Sequence, residues 1–131
     1  MSDANWKSLF AVAAAFNLAV GLVFLAVPNR ALSLLAIQPL PTLLFVQLAG
    51  GLIATFGLFY AAVARDLARR EIVLLGVVGK VMAVALLTFY RLADALPETA
   101  FLLGMGDLIF AALFLWFLLG GRKSPIQARS A

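Results

Sequence analysis

The chain has no cysteine and no histidine, and only 12% of its 131 residues are charged. The first two absences exclude disulfides, thiolate redox chemistry, histidine-ligated haem, zinc sites built on Cys or His, and Ser-His-Asp or Cys-His nucleophile systems. Carboxylates are scarce as well. Asp94, Glu98 and Asp107 lie in or near the last two apolar segments, and only Asp107 lies deep in one. A two-metal carboxylate centre would need several more ligands. No phosphate-cradling glycine loop occurs, because "GGLIATFG" and "GMGD" sit inside long apolar runs, where glycine serves close helix packing. Sustained polar/apolar alternation is missing too, which argues against a β-barrel. The expectation from these absences is a protein that is not an enzyme and uses no metal and no cofactor.

What the chain does have is apolar surface. Hydrophobic residues make up 65% of it and its mean hydropathy is +1.09, whereas soluble domains are about half apolar and a quarter charged. The solvent this composition suits is a lipid bilayer. A spanning helix needs about 20 mostly apolar residues, and four stretches qualify: about 8–27, 42–64, 72–90 and 99–119. Connections between them are short, so consecutive helices must run antiparallel. The predicted fold is all-α, an integral membrane four-helix up-down bundle over 1–121, followed by a basic polar tail at 122–131. The stretch "RALSLLAIQ", Arg30 to Gln38, has two readings: a short helix lying at the outer interface, or an ordinary loop.

Cation placement sets the expected orientation. With the N-terminus in the cytoplasm, the inner side holds Lys7, Arg65, Arg69, Arg70, Arg122, Lys123 and Arg129, and the outer side only Arg30 and Arg91. Both termini are therefore expected inside. Trp6, Tyr60 and Trp116 then fall near the inner face and Tyr90 near the outer one, as interfacial anchors. The net charge of +4 reads as topology and attraction to anionic lipid, not nucleic-acid binding. The first apolar run is too long for a signal-peptide core and "AVPNRAL" is a poor cleavage site, so it is read as a retained helix. The expected location is a bacterial cytoplasmic membrane.

Each span carries one strongly polar residue: Asn17, Gln47, Lys80 and Asp107. At about 1.5 Å per residue, Asn17, Lys80 and Asp107 lie roughly 12 to 18 Å from the inner edge and can share one layer, with Gln47 higher at roughly 25 Å. Small residues one turn away mark the faces: Gly21 for Asn17, Gly51 for Gln47, Gly76 for Lys80 and Gly104 for Asp107. The polar residues should thus look inward. A lone charge at mid-bilayer costs at least about 2.5 to 3.5 kcal/mol, so Lys80 and Asp107 are expected to pair, with Asn17 and Thr55, Gln47 or Thr88 adding hydrogen bonds. The pair reads either as helix-register glue or as the floor of a polar cavity. The string Phe110, Phe114, Trp116 and Phe117 reads as lipid-facing and interfacial.

Four segments, "FNLAVGLVFLAVP", "QLAGGLIATFGLFYAA", "GKVMAVALLTFYRL" and "GDLIFAALF", resemble the small four-helix bacterial membrane proteins grouped as DoxX-like. That resemblance implies an accessory role beside a membrane complex and carries no catalytic residue across. Two functions are therefore expected in competition. One is an accessory or interaction subunit that packs against other membrane chains or itself. The other is binding or transport of a small molecule or proton, of unknown identity, at the Lys80 and Asp107 cluster. A membrane enzyme acting on lipid or quinone is a third reading.

Overall fold

The computed structural model describes residues 1–121, which form helices and short turns with no strand among them; the expected tail at 122–131 lies outside the described residues. Five helices follow in order: α1 (Asp3–Ala26), α2 (Pro28–Leu34), α3 (Leu44–Arg65), α4 (Arg70–Leu92) and α5 (Glu98–Trp116), the last running into a π-helical turn, Phe117–Gly121. Apart from α2, each is long and apolar enough to cross a membrane.

Local chemistry explains where the ends differ from the apolar runs. α1 starts ahead of its run because Ser2 caps it, the Asn5 N–H donating to Ser2 Oγ at 3.2 Å. Asp3 sits in the first turn, where the helix dipole favours an anion. Pro28 starts α2 at the one position where its missing N–H costs nothing. Of the two readings for Arg30 to Gln38, the helix holds as far as Leu34 and a turn follows. It stops where Ala36 turns left-handed at φ 57°, with the Ile37 and Ala36 N–H groups donating to the Leu32 and Ser33 carbonyls. The same closure ends α4 at Asp94, φ 53°.

α1 packs closely on α3, and α4 on α5. The first pair is antiparallel and nearly touches backbone to backbone. A Cβ at Gly21 would lie 2.5 Å from the Ala54 nitrogen, one at Gly50 2.8 Å from the Gly21 oxygen, and one at Gly57 2.9 Å from the Leu18 nitrogen. Here the packing glycine of α3 is Gly50, not the expected Gly51, whose Cβ would meet only the Leu25 side chain at 4.0 Å. The second pair is also antiparallel, Gly104 facing Leu87 and Asp107 facing Lys80.

Aromatic side chains join the pairs at the end of the bundle where α1 begins and α5 finishes. Trp6 stands edge-on to Trp116 and Phe117, Phe10 stacks on Phe114, and Tyr60 meets Phe114 edge-on at 5.0 Å. Val63, Leu67 and Val73 complete this cluster. Trp6, Tyr60, Phe114 and Phe117 are fully buried, so the reading of Trp6 and Tyr60 as interfacial anchors, and of Phe114 and Phe117 as lipid-facing, is corrected. The reason lies in helix geometry. Phe110, Phe114 and Phe117 follow Asp107 at steps of three and four, so any rotation that turns the carboxylate inward carries them with it. Trp116, off that stripe, is half exposed.

Candidate functional site

Beyond the aromatic cluster the bundle opens. α3 and α4 meet near the packed end, where Tyr60 lies against Gly76 and Phe56 against Gly79. Towards the α2 end a partly open cavity of about 560 Å³ runs between the two helix pairs. Phe16, Val20 and Phe24 of α1, Ile53 and Phe56 of α3, and Ala83 and Leu87 of α4 give it apolar walls. Gly76, Gly79, Ala100 and Gly104 widen it by having little side chain. Leu35, Ile37 and Leu96, from the two connections at the α2 end, cover it. The Thr99 hydroxyl donates to the Leu35 carbonyl at 2.7 Å and ties that cover to α5.

Its floor is polar. Lys80 Nζ lies 2.5 Å from Asp107 Oδ1, and the same nitrogen sits 5.4 Å from the ring centroids of both Tyr60 and Phe110. Such cation–π contacts add about 0.5 to 2 kcal/mol each when desolvated. Asn17 is buried in the same layer, beside the Tyr60 hydroxyl. Among the described residues no buried side-chain nitrogen or oxygen lacks a partner. The two charges are held unequally. The Lys80 side chain is 6% exposed and that of Asp107 26%, so the ammonium is wrapped by carboxylate and rings while the carboxylate looks into the cavity.

The structure thus brings Asn17, Lys80 and Asp107 into one layer and leaves three other candidates outside it. Gln47 is exposed and donates to the Leu25 carbonyl at 3.1 Å. That carbonyl is one of those the end of α1 leaves without an intrahelical partner, so the flexible amide caps a neighbouring helix instead of joining the layer. Thr55 is exposed and donates back to the Gly51 carbonyl of its own helix at 2.8 Å. Thr88 is half-buried on α4 and does not line the cavity. Among the described residues no three Asp, Glu, His or Cys side chains gather as a metal site.

Tyr60 is the floor residue that sequence reasoning missed. Its Cα is close to the end of α3, which suggested an interfacial ring. Helical side chains lean towards the helix N-terminus, and on α3 that direction carries the phenol up to the level of Asn17 and Lys80. The signal was present in the spacing: Tyr60 follows Gly50 and Gly57 on one stripe, at steps of seven and three. No protein family, curated protein or solved structure matches the chain.

Proposed function

We propose that this is a multi-pass protein of a bacterial cytoplasmic membrane, both termini inside, that binds a small, mostly apolar molecule in the cavity above the Lys80 and Asp107 pair. One observation carries the reading: a space of about 560 Å³, within the range of small-molecule sites, ends on an ion pair whose carboxylate is open to it. A pair serving only as glue would be packed dry. The orientation rests on charge: Lys7, Arg65, Arg69 and Arg70 gather at the aromatic end of the bundle, and Arg30 and Arg91 at the other. The role is binding, with no catalysis assigned.

Two experiments test it. Native mass spectrometry of the full chain, released from membranes in mild detergent, should detect one small apolar adduct per chain. Ala83→Phe, which fills the cavity, should lose the adduct while keeping its helical circular dichroism. A wild-type chain that carries no adduct and takes up no added amphiphile would count against the site. For orientation, the absence of cysteine makes single-cysteine labelling unambiguous. A cysteine at Ser2 should react only from the cytoplasmic side and one at Gln38 only from the opposite side.

An accessory role, which the DoxX-like resemblance implies, is the second reading, and that kinship is itself proposed on the four quoted segments. It is supported by the outward face of α3, where Gly51 meets little and Thr55 is exposed one turn away. Small residues let a partner helix approach closely. Gly51→Leu should then abolish co-purification of a partner or a second copy without unfolding the chain.

A further inference from the structure

We infer that the cavity selects an uncharged amphiphile with a hydroxyl head, a medium-chain alcohol, which enters from the bilayer between α3 and α4 and donates its hydrogen bond to Asp107. The inference rests on the cavity reading above and specifies its ligand.

Access follows from what surrounds the cavity. The side facing the connections is lined by the apolar side chains of Leu35, Ile37 and Leu96. Between α3 and α4 the lining residues Leu52, Met82 and Leu86 are also more than half exposed on the outer surface. A residue that both lines a cavity and faces outward marks its mouth. This mouth is bordered by alkyl and thioether groups at the depth of acyl chains, so what passes through it arrives dissolved in hydrocarbon.

The head group follows from the floor. Asn17, Lys80 and Tyr60 also line the cavity, but Asn17 and Lys80 are each 5% exposed and Tyr60 1%, so the polar group most open to a ligand is the Asp107 carboxylate, 26% exposed. Its Oδ1 accepts from Lys80, and Oδ2 has no protein partner among the described residues. A free carboxylate oxygen accepts and does not donate. It therefore recognises a donor. Charge on the ligand is disfavoured because Lys80 and Asp107 already sum to zero. A third charge there would be unpaired, at the cost of at least about 2.5 to 3.5 kcal/mol that applies to lone charges at mid-bilayer. An ether or ester would set oxygen lone pairs against the carboxylate oxygen. Length fits too: from Asp107 up to Ala100 is seven residues of helix, about 10 Å, the scale of a medium alkyl chain.

The test uses the full chain in lipid nanodiscs and a diazirine-bearing decanol as photolabel. Labelling should saturate, map to cavity residues such as Met82 and Leu103, and disappear in Ala83→Phe. Unlabelled 1-decanol should compete about ten- to a hundredfold better than its methyl ether, the difference made by a hydrogen bond to a charged acceptor. It should also compete better than decanoate or decylammonium. The apolar double variant Lys80→Met with Asp107→Leu should level alcohol and ether. Saturable, Ala83→Phe-sensitive labelling in which the ether or either ion competes as well as the alcohol would overturn the hydroxyl inference and leave the cavity reading standing. Labelling that never saturates and ignores Ala83→Phe would overturn both. The competition on the wild-type chain decides the point even if the double variant does not fold.

Discussion

Replacing Asp107 with Asn should be among the costliest single changes in this protein. Its Oδ1 lies 2.5 Å from a Lys80 ammonium whose side chain is 6% exposed. Without the carboxylate the cation keeps only the faces of Tyr60 and Phe110 and an amide dipole. Breaking a buried ion pair from one side costs about 3 to 5 kcal/mol, because the remaining charge stays uncompensated. The two rings return part of that, so about 2 to 4 kcal/mol is expected. Lys80→Met leaves the opposite orphan. Asp107 is 26% exposed where Lys80 is 6%, so the carboxylate left behind is less completely desolvated than the ammonium would be, and this change should cost about 1 kcal/mol less. The double variant removes both charges and should cost clearly less than the sum, with a coupling of about 2 kcal/mol or more. The assay is reversible unfolding of wild type, both singles and the double in mixed micelles, followed by circular dichroism. Additive costs, with a coupling below about 0.5 kcal/mol, would show that the two groups do not stabilise each other and would remove the physical basis of the floor.

Four further outcomes follow from the packing. Gly21→Ala should destabilise by about 1 to 3 kcal/mol in the same assay, since its Cβ would lie 2.5 Å from the Ala54 backbone nitrogen. Gly51→Ala should be neutral or stabilising by about 0.5 to 1 kcal/mol, because the space is open and helix propensity improves; equal effects at the two sites would refute the close approach at Gly21. Trp6→Ala should cost about 3 to 5 kcal/mol, as expected for a fully buried indole packed on Trp116 and Phe117, whereas a merely interfacial Trp6 would make it nearly silent. Tyr60→Phe keeps the ring over Lys80 and removes the hydroxyl beside Asn17. It should cost about 1 kcal/mol, and a cost indistinguishable from zero would mean that this hydroxyl makes no bond of consequence.

The main outline was legible in composition and spacing. Apolar runs of spanning length, closed by Pro28, by the charged string after Ala64 and by Arg91, located the four long helices to within a few residues, and short connections required antiparallel neighbours. Lys80 and Asp107 stood out because a charge within an apolar span has few tolerable surroundings. The rotation of the helices was harder to read. Spacing alone marks a packing face for Gln47 through Gly51, yet its long amide reaches sideways to a helix end, and the face itself is one residue away at Gly50. For Tyr60 the depth of the Cα gives the wrong environment, because the phenol leans a full side-chain length towards the start of α3.

These cases share one physical cause. In a soluble protein an apolar stripe points to the core, because the other side must face water. In an apolar bundle of this kind both sides of a helix can be apolar, so hydrophobicity reports that a segment is a long apolar helix and says little about which way it turns. Sequence alone therefore determined the number of long helices, their antiparallel order and the presence of two charges that need each other. Only the tertiary structure decided which aromatics fill one end of the bundle, that α3 and α4 part company at the other, and that the ion pair lies at the floor of an open space. Those outcomes depend on how side chains of similar polarity fit together in three dimensions, and fit is a property of shape that a list of residues does not carry.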